Sequence, residues 1–95
     1  MRVPQDRFQH AMNQGHSAAW DQNWDKAAAY YRQALEELPD HPKALTSLAL
    51  ALYESQNYPE ALKYYQRAAE VSPNDPVPRE KLAGLRGRLG HLAPA

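Results

Sequence analysis

The chain contains no cysteine, which excludes disulfides, thiolate metal sites and thiol catalysis. It has no charge excess. Eleven Lys and Arg balance eleven Asp and Glu, so no global field draws it to nucleic acid or an anionic membrane. No apolar run approaches the ~20 residues that span a bilayer. The opening residues, MRVPQDRFQHAMNQGH, lack the apolar stretch of a signal peptide. These absences lead to the expectation of a soluble, cytoplasmic protein. Glycine is scarce, with four in 95 residues. One domain is the most such a length supports, on a scale of roughly 100–200 residues per domain, and its core is marginal for a closed globule.

What the chain does have is a repeated phrase. Residues 27–42 read AAAYYRQALEELPDHP and residues 61–76 read ALKYYQRAAEVSPNDP. At an offset of 34, Asn23 falls on Asn57, Trp24 on Tyr58, Ala27 on Ala61, Tyr30 on Tyr64 and Tyr31 on Tyr65. Ala34 falls on Ala68, Pro39 on Pro73 and Pro42 on Pro76. A fixed period of this length marks a stacked repeat.

Within each period the pattern is helical. Ala27, Tyr31, Ala34, Leu35 and Leu38 lie on one face of a helix, and Ala61, Tyr65, Ala68 and Ala69 repeat that face. Leu45, Leu48, Ala49 and Leu52 form the stripe of another. Pro39 and Pro73 end helices, whereas Pro42, Pro59 and Pro76 suit first turns. Asn57 is an expected N-cap with Glu60 as its capping partner. The spacing predicts helices near 6–21, 24–38, 42–55, 58–71 and 76–90. Short links between them make antiparallel neighbours. Alanines at 27, 34, 61 and 68 let helices approach, and Tyr31 or Tyr65 fills the wedge beside each contact. The expected fold is all-α: a solenoid of antiparallel helix pairs, about five helices in a right-handed superhelical stack.

These residues resemble the tetratricopeptide repeat (TPR), a 34-residue helix–turn–helix with a W-x2-L-G-x2-Y…A-x3-F…P pattern. Residues 42–75 match through Leu45, Leu48, Ala49, Leu52, Tyr58, Ala61, Tyr65, Ala68 and Pro73. Residues 8–41 match through Gly15, Trp24, Ala27, Tyr31, Ala34 and Pro39. Ala11, Gln14 and Ala18 stand where the family has large apolar residues. The resemblance implies an N-terminal extension at 1–7, TPR units at 8–41 and 42–75, a C-terminal capping helix at 76–92 and a tail at 93–95. Leu82, Leu85, Leu89 and Leu92 give the last helix its stripe. Gly84, Gly87 and Gly90 each cost it about 0.5–1 kcal/mol relative to alanine. They fit either a fraying cap or close contact with another helix.

Catalytic chemistry finds no foothold. Asp6 and His10 share a helical face, but two ligands are too few for a metal site. His41 matches Asp75 in phase, which indicates a turn role. Ser17, Ser47, Ser55 and Ser72 lack a nucleophile motif, and there is no phosphate-cradling glycine loop. The reading is a non-enzyme without metal or cofactor. Residues 76–95 carry Arg79, Lys81, Arg86 and Arg88 against Glu80. Four spread cations are a weak footprint for nucleic acid.

In the TPR family the first helix of each unit lines the concave side and contacts an extended peptide or a helix. By phase the resemblance implies a groove built from Gln9, Met12, Asn13, His16, Trp20, Thr46, Ser47, Leu50, Tyr53, Glu54, Lys81, Gly84 and Arg88, with Met12, Leu50, Tyr53 and Trp20 as apolar anchors. The alternative for Met12 and Trp20 is packing between helices. Members that clamp the C-terminal carboxylate of chaperone tails would need Lys, Asn and Arg at Met12, His16, Ser47, Val77 and Lys81; only Lys81 fits, so that role is excluded. The implied function is a protein–protein interaction scaffold for a protein or peptide partner. Its competitors are self-association by stacking or helix swapping, because two units are fewer than the ~3 a stack needs, and a regulatory piece of a larger protein.

Overall fold

A computed structural model describes the backbone of residues 3–92 and the side chains of residues 3–88. The described residues form five helices: α1 (Pro4–Trp20), α2 (Trp24–Glu37), α3 (Pro42–Glu54), α4 (Tyr58–Val71) and α5 (Pro76–Leu92). No strand occurs among the described residues. Each expected helix is present, with ends displaced by at most two residues. α1 starts earlier than the periodicity suggests because Pro4, with its fixed φ, occupies the first turn. Expectations for Leu89, Gly90 and Leu92 concern side chains outside those described, and the tail 93–95 lies outside the described residues.

The turns repeat as faithfully as the helices. α1 and α3 both end with a glutamine in the left-handed region, Gln22 at φ 60° and Gln56 at φ 68°. After α1, the Gln22 N–H donates to the Ala19 carbonyl and the Asn23 N–H to the Ala18 carbonyl, both at 2.9 Å. After α3, Gln56 donates to Tyr53 at 2.9 Å and Asn57 to Leu52 at 2.8 Å. This pair of bonds is the Schellman arrangement, which closes carbonyls that a helix end leaves open. Asn23 then caps α2, its side chain accepting from the Lys26 N–H at 3.3 Å. Asn57 occupies the same place before α4, but its amide donates to Glu60 Oε2 at 3.1 Å instead of capping the backbone.

The turns between pairs use a second repeated device. His41 Nδ1 accepts from the Lys43 N–H at 3.2 Å, which leaves the ring proton on Nε2. Asp75 Oδ1 accepts from the Val77 N–H at 3.0 Å. The two side chains do the same work at positions 34 apart.

Each helix packs on its neighbours in sequence, and the stack measures 54 × 29 × 17 Å. Gly15, Ala27, Tyr31 and Ala34 are buried, as are Leu45, Leu48, Ala49, Leu52, Ala61, Tyr65 and Ala68. Trp24 and Tyr58 are half-buried, and Pro39 and Pro73 lie exposed in the turns. In each tyrosine doublet the second member is the wedge. Tyr30 and Tyr64 are half-buried, and Tyr64 accepts from Arg32 of the preceding pair at 3.3 Å.

The two ends of the stack differ from its middle. α3 is covered on both sides and buries Ala44, Leu48 and Ala51 along one line and Leu45, Ala49 and Leu52 along another. α5 packs on α4 and buries Pro78, Leu82 and Leu85, which match the first line. At positions matching the second line it exposes Arg79, Ala83 and Arg86. α1 packs on α2 and buries Ala11, Gly15 and Ala18, which match the second line. Its counterparts of the first line are His10, Gln14 and Ser17, none of them buried. Each open face of the stack is therefore mostly polar where the inner helix is apolar, as terminal units of a solenoid require for solubility.

Candidate functional site

A cleft of about 350 Å³ opens between α3 and α5, over α4. Leu50, Tyr53 and Glu54 form one wall, and Glu80, Lys81, Gly84, Leu85 and Arg88 form the other. Tyr65 of α4 forms the floor. Six residues expected in the groove thus meet in one place: Leu50, Tyr53, Glu54, Lys81, Gly84 and Arg88. Leu50 is 38% exposed, an aliphatic side chain left to solvent at the rim.

Arg88 organises one end of the cleft. Its Nη1 donates to the hydroxyls of Tyr53 at 3.0 Å and Tyr58 at 3.2 Å. The guanidinium carbon lies 5.7 Å and 5.3 Å from the two ring centroids. The rings themselves meet edge to face at 5.3 Å. Hydrogen bonding and cation–π attraction together hold Tyr53 in one orientation. Lys81 has no hydrogen bond or ion pair with the described residues and is available to a ligand.

The other expected groove residues are placed differently. Met12 is 1% exposed and belongs to the core, so its expected role as a surface anchor is corrected. The small residues Ala11, Gly15 and Ala18 draw α1 so close to α2 that the longer Met12 is enclosed. Trp20 is 89% exposed, in the last turn of α1, so it does not pack between helices. His16 is exposed, and its Nδ1 meets the Tyr31 hydroxyl at 2.8 Å. Gln9 and Asn13 bond each other at 3.0 Å. Thr46 and Ser47 are half-buried on α3.

A larger depression, about 520 Å³, lies where α4 meets α2 and α3. Leu35, Pro39, Lys63, Tyr64 and Arg67 line it. The ion pairs Asp40–Arg67 and Arg32–Glu60 bind α4 to the preceding pair. It is the seam where successive pairs join, and the 34-residue match alone did not reveal it.

Burial raises the pKa of both wedge tyrosines. Tyr65 is pushed to about 12, mainly by desolvation and further by Tyr53 and Glu54. Tyr31 is raised by desolvation. Both stay protonated at neutral pH. Among the described residues no group of three or more His, Asp or Glu is placed to hold a metal ion, and no described helix is long and apolar enough to cross a membrane.

A family model described as tetratricopeptide repeat matches residues 12–76. The chain belongs to the tetratricopeptide repeat family. No curated protein matches it. TPR units generally mediate protein–protein interaction and form a non-catalytic type of scaffold. In this TPR protein the matched segment includes α2, α3 and α4, hence one wall and the floor of the cleft, while the wall from α5 lies beyond it.

Proposed function

We propose that this TPR protein is a non-enzymatic scaffold that holds a peptide or helix of a partner protein in the cleft between α3 and α5. The observation that carries the reading is the convergence of Leu50, Tyr53, Glu54, Lys81 and Arg88 on one cleft. An exposed aliphatic anchor, a fixed tyrosine and an unengaged lysine make a mixed surface of the kind interfaces use. Gln9, Asn13, His16, Trp20, Thr46 and Ser47 extend the binding face along α1 and α3.

Self-association is the competing reading, and the open faces weigh against it. A second copy stacking end to end would meet Arg79 and Arg86 at one end and His10 and Gln14 at the other, with little apolar area to bury. Nucleic acid is a weaker fit still, because Arg88 is engaged by Tyr53 and Tyr58 and Arg79 donates to the Pro73 carbonyl at 2.6 Å. The test is affinity capture from a lysate read by mass spectrometry, with Leu50→Glu as control. The variant should keep its helical circular dichroism and lose the specific protein. Capture that survives Leu50→Glu would sink the cleft as the binding site.

A further inference from the structure

Tyr31 and Tyr65 fill the same place in successive helix pairs, but their hydroxyls do not fare alike. The Tyr31 hydroxyl has a partner in the chain, His16 Nδ1 at 2.8 Å, with the imidazole ring edge-on at 5.5 Å. The residue matching His16 in the next pair is Leu50, which offers no acceptor. Tyr65 is 1% exposed and has no hydrogen bond with any described residue. Among the described residues no fully enclosed side-chain polar atom lacks a partner. The sliver of Tyr65 that reaches the surface is therefore its hydroxyl, at the cleft floor. The next position in the same series is Gly84, on the facing wall. A Cβ built on Gly84 meets nothing within 4 Å, and the same holds for Gly87. Packing among the described residues does not require glycine at either position, although each weakens the helix.

We propose that the cleft takes a short extended peptide of a partner protein that presents a carbonyl acceptor to the Tyr65 hydroxyl, its backbone lying close over Gly84 and its apolar side chain against Leu50. This rests on the reading of the cleft as the partner-binding site and specifies its chemistry. A buried hydroxyl that stays protonated is a donor, and a peptide carbonyl is the commonest uncharged acceptor. The missing side chain at Gly84 lets main chain approach, which is the usual reason for glycine beside a bound backbone. The charges of the lining cancel, with Glu54 and Glu80 against Lys81 and Arg88, so a neutral peptide segment fits better than a strongly charged one. In the first pair His16 already occupies the matching site and supplies the hydrogen-bond partner itself, so only the second pair is open.

The probe is a phage-displayed random peptide library selected on the intact chain. Selected peptides are expected to lose all binding with Leu50→Glu, about 5–10-fold in affinity with Tyr65→Phe, and all binding with Gly84→Leu. Leu50→His, which restores the arrangement of the first pair, should also abolish binding while the chain stays folded. Peptides that need Leu50 but bind Tyr65→Phe and Gly84→Leu at full strength overturn the inference and leave the cleft reading intact. Selection of no Leu50-dependent peptide overturns both. Sedimentation at the screening concentration tests the other occupant: a dimer that Gly84→Leu converts to monomer overturns the peptide in favour of a second copy.

Discussion

Gly15 of α1 faces the ring of Tyr31 so closely that a Cβ on the glycine would lie 2.4 Å from Cε1 and 2.6 Å from Cδ1. Glycine there is a packing requirement. Gly15→Ala should destabilise the protein by about 1–2 kcal/mol, the cost of overpacking exceeding the gain in helix propensity. Gly84→Ala should have the opposite sign, raising stability by roughly 0.5–1 kcal/mol, because its Cβ enters open space. Thermal denaturation of the two variants side by side checks both.

The wedge tyrosines should respond differently to loss of a hydroxyl. Tyr31→Phe removes the bond to His16 and is expected to cost about 1 kcal/mol. Tyr65→Phe removes no bond with the described residues and should shift stability by less than about 0.5 kcal/mol. Denaturant titrations at neutral pH measure both.

High pH gives a second test of Tyr65. Its pKa is raised from 10.0 to about 12 in the folded chain, so the folded state holds the proton more tightly than the unfolded one. Its contribution is fully present below pH ~10 and is lost as pH rises toward ~12, at no more than about 1.4 kcal/mol per pH unit. Tyr65→Phe should flatten this part of the stability curve. Tyrosinate absorbance, followed with stability, reads out the ionisation directly.

Gln22 and Gln56 hold left-handed φ values without being glycine. Gln56→Gly should relieve the strain, with part of the gain offset by a more flexible unfolded chain, for a net of roughly 0.5–1 kcal/mol. A melting temperature a few degrees higher is the expected result.

Arg88 joins α5 to Tyr53 and Tyr58. Arg88→Lys should not substitute for it, since an ammonium is a point charge and does not offer the flat guanidinium that lies over both rings. Either Arg88→Lys or Arg88→Ala is expected to lower amide-exchange protection in the last turns of α5 by an energy of about 1 kcal/mol.

The helices were legible because their signals are local and doubled. Apolar spacing, proline placement and the 34-residue match all agree on the same segments, and α2 and α4 begin where the offset puts them. Most of the cleft was legible by the same offset: Leu50, Tyr53, Glu54, Lys81, Gly84 and Arg88 follow from phase alone. Met12 was misread because phase fixes direction on an inner helix flanked on both sides, whereas α1 has one neighbour and lies tight against it through Gly15. The role of Tyr65 was hidden for a related reason. Phase makes it the equal of Tyr31, and only the contact with His16 in one pair and its replacement by Leu50 in the other separates them. The seam between successive pairs depends on ion pairs such as Arg32–Glu60, at 2.8 Å, which carry no periodic signature.

The last helix has one broad neighbour. α5 is held to α4 by Pro78, Leu82 and Leu85 and tied across by Arg88, yet it supplies a whole wall of the cleft. The proposed binding site and the helix with the smallest packing interface in the stack thus share the same residues. Every opening of α5 dismantles the cleft, and every occupant that bridges α3 to α5 clamps the helix down. On the proposed reading, affinity is coupled to the closure of one terminal helix. On that reading, substitutions that tighten α5 on α4 without touching the cleft should strengthen binding, and a bound peptide should slow amide exchange along α5.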